Sequence, residues 1–192
     1  MSDRTVFRID DVSLNTNPER LVRIVEMLQQ RAPSATVMLA VSPAVANIPP
    51  SPKALDAERL FPSIWHTESD HRVFFNMDRI GVPEIVTRLR RIPGIRVAGH
   101  GLVHVDHRLL KRSAQELSIV MCCHLLQSSV FVPPFNKWNA KTEAICAEFG
   151  IQLVRYEEGW RHLAFHKFDP KHPLYYVHTH DLTDEQFHHQ LS

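Results

Sequence analysis

The chain has 192 residues and a formal net charge of +1, with 22 Lys and Arg against 21 Asp and Glu. That length buries a substantial core without disulfide or metal staples, and the balanced charge gives no basic footprint for nucleic acid or for an anionic membrane surface. Residues 1–10 lack a basic segment leading into an apolar one, and no apolar run is long enough to span a bilayer, so the expectation is a cytoplasmic protein with one domain over 1–192.

Residues 5–9 read as a short apolar strand that ends in Asp10-Asp11. A helix follows over 18–31, with Leu21, Ile24, Val25 and Leu28 at helical spacing, Asn17 as N-cap and Pro18 at the first position. Residues 35–41 form a buried strand. The stretch 42–71, with Pro43, Pro49, Pro50, Pro52 and Pro62, lacks a long periodic element and reads as a loop. Beyond it come a short strand at 73–76, a helix over 82–91, a strand at 95–98 and a helix over 113–126. The remaining elements are a strand at 130–132, a helix over 139–149 stopped by Gly150, and strands at 151–154 and 174–177. Strands alternating with helices imply parallel β/α units in a barrel or an open sheet. The polar tail containing His188 and His189 reads as solvated. Cys122, Cys123 and Cys146 form neither a disulfide framework nor a CxxC motif, and read as reduced packing residues.

Polar clusters follow four of the strand-like runs. Asp10-Asp11 and the pair His100 and His104 bring two imidazoles and a carboxylate, a ligand set for zinc and its divalent neighbours, with the second carboxylate left for proton transfer. In Pro133-Pro134-Phe135-Asn136 the prolines fix the backbone and remove two donors, so the N–H groups of Phe135 and Asn136 are the next that can meet a ligand oxygen. In His178-Thr179-His180-Asp181 an extended backbone places both imidazoles on one side, and either can act as an acid near neutral pH. Among 13 histidines, isolated ones such as His66, His162 and His172 read as incidental.

Taken together and in order, these clusters resemble the motifs of the polysaccharide deacetylase family, the NodB-homology fold of carbohydrate esterase family four. Asp10-Asp11 resembles its first motif, His100 and His104 its HxxxH metal motif, residues 131–136 its Pro-Pro-Tyr turn, and Tyr176-Val177-His178 its last strand with histidine. The resemblance implies an α/β single domain, a distorted (β/α) barrel of about seven strands. It also implies one divalent metal held by Asp11, His100 and His104, zinc by default, with cobalt, manganese, nickel or iron also accepted. Asp10 is the implied base, His178 (or His180) the acid, and Phe135 with Pro134 and Asn136 the oxyanion and substrate turn. Asp106 and His107 are placed to buttress the metal histidines, and Trp138 and Trp160 offer faces for a sugar ring.

The sequence departs from the family pattern at Val132, where an arginine usually orients the catalytic aspartate; Arg8, Lys137 or Arg155 stand as substitutes. Gly101 replaces the usual Ser or Thr inside the histidine motif. The words around both motifs are similar to a divergent bacterial branch related to O-antigen deacetylases, which implies an N-acetylated surface-polysaccharide precursor as substrate. A metal amidohydrolase of a small non-sugar amide and a catalytically silent carbohydrate-binding protein are the alternatives, with oligomeric state left open.

Overall fold

The computed structural model describes residues 5–47, 64–66, 72–156 and 159–192. In chain order its elements are β1 (Val6–Ser13), α1 (Pro18–Arg31), β2 (Thr36–Ser42), β3 (Ala44–Asn47), β4 (Ile64–His66), β5 (Arg72–Ile80), α2 (Glu84–Leu89) and β6 (Ile95–Gly99). Then follow α3 (Arg112–Leu125), β7 (Val130–Phe131), α4 (Ala140–Glu148), β8 (Gln152–Leu153), β9 (Arg161–His162), β10 (Leu174–His178) and α5 (Asp184–Leu191). Seven strands pair in parallel in the order β8-β7-β6-β2-β1-β10-β9, curling into a half-barrel.

Strand alternation sorts the sheet's two faces. Phe7 and Ile9 of β1 join Val37, Leu39 and Val41 of β2 and Tyr175 and Val177 of β10 in the main core, together with Leu21, Ile24, Val25 and Leu28 of α1 and Phe187 and Leu191 of α5. The opposite face carries Arg8 and Asp10, whose register partners on β10 are Tyr176 and His178. α1 matches its expected bounds because its signals are local: the Asn17 side chain accepts from the Arg20 N–H at 3.0 Å, and Pro18 opens the first turn.

Three expectations change. The stretch at 73–76 is part of a longer β5, which pairs antiparallel with β3 and β4 in a separate sheet, so strand structure enters what the sequence presents as a proline-rich loop; the rest of 42–71 lies largely outside the described residues. The polar tail is a helix, α5, fixed by reciprocal bonds between Thr183 and Gln186 and buried through Phe187 and Leu191, with His188 and His189 exposed. β1 does not end before the aspartates. It runs on to Ser13, and its pairing with β2 slips between Ile9 and Val12, where Asp11 adopts φ 61°. One extra residue in the strand reverses the alternation, so Val12 returns to the core and both aspartates stay off it.

Candidate active site

The bulge in β1 aims Asp11 at the segment that follows β6. His100 leaves that strand bound to β2 at both ends of its peptide, its N–H donating to the Val41 carbonyl at 2.8 Å and its carbonyl accepting from Ser42 Oγ at 2.8 Å. Asp11 Oδ1 lies 3.4 Å from His100 Nε2 and 2.9 Å from His104 Nε2, and the three ligand atoms are mutually within 4.8 Å. Asp11 Oδ1 is buried without a hydrogen-bond partner among the described residues. Burial works to raise the Asp11 carboxyl, but the two facing imidazoles outweigh it and hold the group well below the usual carboxylate range. A buried, ionised oxygen that meets two ring nitrogens without completing a hydrogen bond fits a divalent cation with bonds of about 2.0–2.2 Å.

The orientation of His100 comes from an unexpected partner. Its Nδ1 faces the Val132 carbonyl at 2.8 Å, leaving Nε2 for the ligand cluster. Asp106 does not buttress the histidines: it caps a short 3₁₀ turn at His107–Leu109 and pairs with Arg108 at 2.8 Å and Lys137 at 3.8 Å. His107 supports the loop's backbone and not its imidazoles. Its Nδ1 donates to the Val105 carbonyl at 3.0 Å, and its Nε2 accepts from Ser118 Oγ at 3.0 Å, which in turn accepts from the Leu102 N–H at 3.0 Å. Desolvation lowers the pKa of this fully buried ring to about 4. The same ring explains Gly101, since a Cβ there would lie 2.7 Å from His107 Cε1 and 2.7 Å from the Val103 carbonyl, on a backbone with φ +80°.

Of the three substitutes for an arginine at position 132, Arg8 is the one the structure places against Asp10. It sits two residues before Asp10 on the same face of β1, and its Nε and Nη2 donate to the two Asp10 oxygens at 2.8 Å each. Arg8 is 0 % exposed and Asp10 2 %. Nη2 also donates to Asn136 Oδ1 at 2.6 Å, tying β1 to the Pro-Pro turn. The guanidinium lies 4.7 Å from the Trp160 ring and 5.3 Å from the Tyr176 ring, so Trp160 packs on a cation. The two other candidates are engaged elsewhere, Lys137 with Asp106 and Arg155 with Glu143 at 3.1 Å.

In the turn itself Pro134 is buried, while Phe135 and Asn136 adopt φ 57° and 54°. The Asn136 N–H, expected to be free, donates to the Pro133 carbonyl at 3.0 Å, which leaves the Phe135 N–H as the turn's candidate donor. The Phe135 ring, half exposed, lies against His104 with centroids 4.4 Å apart. Trp138 donates to Glu143 at 3.2 Å. Across the site, Asp10 and His178 are register partners on adjacent strands. His178 is bound to Asp181 Oδ2 through its N–H at 2.8 Å and its Nδ1 at 2.6 Å, whereas the His180 side chain is 71 % exposed and 3.9 Å from Asp181. His180 lines a cavity of about 450 Å³ together with Asp11, Ser13, Thr16 and Arg20. Asp181 and His162 meet His178 here, which corrects the reading of His162 as incidental: a two-residue strand gives no periodicity to mark it, and Asp181 stands in the sequence only as the end of the His178–Asp181 cluster.

No protein-family model and no curated protein matches the sequence. Among solved structures, the family 4 carbohydrate esterase from Streptomyces lividans in complex with acetate superposes with a TM-score of 0.58 at 11% identity, over 98% of this chain and 84% of that one. Peptidoglycan deacetylase PdaC from Bacillus subtilis gives a TM-score of 0.56 at 10% identity, over 99% and 84%. A family pseudoenzyme from Bacillus anthracis gives 0.55 at 13%, over 99% of this chain and 61% of that one. The chain has the carbohydrate esterase family 4 fold.

Within this esterase fold the clusters gather at the C-terminal edge of the parallel sheet: β6 delivers His100, β7 the Pro-Pro turn, and β10 His178, with β1 contributing its bulge. Ligand sites in parallel α/β sheets form along this edge. No helix among the described residues is long and apolar enough to cross a membrane.

Proposed function

We propose that this protein is a metal-dependent N-deacetylase of an N-acetylated sugar. The observation that carries the reading is the Arg8–Asp10 pair beside the Asp11, His100 and His104 cluster: the carboxylate proposed as base has a buried cation to orient it even though position 132 is valine. A divalent ion, zinc by default, would be held by Asp11, His100 and His104 and would supply an electrophile that polarises the acetamide carbonyl and acidifies water. Asp10 accepts the proton of the attacking water as the new C–O bond forms, with Arg8 fixing the plane of its carboxylate. The Phe135 N–H donates to the carbonyl oxygen as negative charge builds there. His178, doubly protonated with its Nδ1–H held by Asp181, gives its Nε2 proton to the amide nitrogen as the C–N bond breaks, releasing acetate and the amino sugar. Phe135 offers an apolar face for the sugar ring, and His180 belongs to the rim. We take the substrate to be a nucleotide- or lipid-linked precursor of a surface polysaccharide, met in the cytoplasm.

Metal content by plasma mass spectrometry and acetate release from N-acetylated nucleotide sugars test this reading. Asp10→Asn keeps the metal and loses turnover, whereas His104→Ala loses both. Turnover surviving in Asp10→Asn removes the base assignment. Acetate from simple amides but not from sugars points to the amidohydrolase alternative. Sugar binding with no acetate at any metal loading makes the chain a silent member of a fold that includes a pseudoenzyme.

A further inference from the structure

His162, His178 and Asp181 form a second cluster of ligand-type atoms. His162 Nε2 lies 3.2 Å from His178 Nδ1 and 2.9 Å from Asp181 Oδ2, and His178 Nδ1 lies 2.6 Å from the same oxygen. Donor type alone makes this a metal site. The backbone argues otherwise. The Ala164 N–H donates to His162 Nδ1 at 3.2 Å, so that nitrogen is an unprotonated acceptor, and the proton of the neutral ring is on Nε2, the atom that would have to bind the ion. A ligating imidazole shows the reverse pattern, with its second nitrogen donating, as His100 Nδ1 can to the Val132 carbonyl.

We infer that His162 is a positioning residue: as its Nε2–H tautomer it anchors the Asp181 carboxylate, which thereby holds the Nδ1–H of His178 and turns Nε2 to the reaction, where the doubly protonated ring gives up its second proton. The inference rests on the proposed role of His178 as acid. Burial lowers the His162 pKa against the opposing charge of Asp181, keeping the ring a neutral donor. Its surroundings fit a fixed ring: it is 8 % exposed, with Tyr176 edge-on at 4.4 Å and Phe165 at 5.0 Å. Among the described residues, the other ionisable groups near the array include Tyr176, Asp10 from β1, paired in register with His178, and His180, stacked on His178 at 5.6 Å. Asp181 Oδ2 thus collects the His162 Nε2–H, the His178 Nδ1–H and the His178 backbone N–H, a clamp that no metal ion is needed to close.

Imidazole ¹⁵N NMR on the zinc-loaded protein, at a mildly alkaline pH, reads the tautomers directly, with His162→Gln and His178→Gln giving the assignments. The expected spectrum shows His162 protonated on Nε2 and His178 on Nδ1. His162→Phe keeps bulk without a donor: His178 should lose its single tautomer, and kcat should fall about ten-fold with KM unchanged. His162→Gln, whose amide N–H can replace the lost donor, should regain most of that rate. A His162 proton on Nδ1, a second tightly bound zinc per chain that His162→Gln abolishes, or a His162→Phe protein with wild-type tautomer and kcat would each overturn the inference. The expected tautomers in a protein that releases no acetate would sustain the clamp while removing the deacetylase reading.

Discussion

Replacing Arg8 with methionine removes the cation from a pair that is almost wholly withdrawn from water. Asp10 loses partners at both oxygens, each at 2.8 Å, and Asn136 loses its donor at 2.6 Å. Breaking a buried ion pair by deleting one partner costs about 3–5 kcal/mol, because the remaining charge has no solvent to return to. At about 2–4 °C per kcal/mol for a chain of this size, the melting temperature should fall by roughly 6–20 °C, read by differential scanning calorimetry. The double variant Arg8→Met with Asp10→Asn removes both charges and should regain a large part of that loss, so a double-mutant cycle isolates the pair. Arg8→Lys keeps the charge but loses the two-pronged fork and the guanidinium over Trp160; kcat for acetate release should drop about 10²-fold while the fold survives. Lys137→Ala and Arg155→Ala should leave kcat within a factor of two or so, since both side chains are exposed and paired away from Asp10. A stable, fully active Arg8→Met protein, or a large loss confined to Lys137→Ala, would refute the assignment of Arg8 as the orienting cation.

Stability should depend on pH through His107, whose pKa falls from 6.5 to about 4 on burial. The unfolded chain takes up this proton near pH 6.5 and the folded chain only near pH 4, so the contribution is complete above pH 6.5 and is lost as pH falls between those values, by about 3 kcal/mol; urea titrations across that window should show the slope, and His107→Gln should flatten it. Gly101→Ser restores the residue expected in the histidine motif yet should destabilise by about 1–3 kcal/mol, because its Cβ collides with the His107 ring at a positive φ; an unchanged denaturation midpoint would argue against that packing. The three cysteines are buried and unpaired, with the Cys123 and Cys146 thiols pushed up to about 12 and about 11, and the Cys122 thiol well above its ordinary value, by desolvation. Thiol reagents should therefore label none in the native protein and all three in denaturant.

Much of this architecture is legible in the residues themselves, and the exceptions share a physical cause. α1 shows its cap, its opening proline and its apolar stripe within one window. The order of Asp10-Asp11, His100 with His104, the Pro-Pro turn and His178 is likewise plain, because each cluster ends an apolar run. Signals for α5 were also present, in a Thr183 to Gln186 capping box ahead of Phe187 and Leu191 four residues apart, but two polar histidines masked them. What the sequence left open depends on contacts between distant segments. The choice of Arg8 over Lys137 and Arg155 is decided by burial against Trp160 and Tyr176, and the gathering of His162 with Asp181 requires β9 to pair with β10. The slip that brings both aspartates to the site is a property of β1 against β2, which one strand's alternation does not reveal.

Placing the proposed base and its orienting cation two residues apart on β1 has a mechanical consequence. Their separation is set by one stretch of extended backbone, a span of about 7 Å, and not by how two strands slide past each other. Shear of the half-barrel can move His100, His104 or the Pro-Pro turn relative to β1 while the carboxylate keeps its alignment with the guanidinium. The alignment also travels as a single segment: transplanting residues 6–13 into a related barrel would carry the proposed base, its cation and the bulge together, whereas an arginine at position 132, just past β7, would have to be introduced separately and kept in register with its aspartate.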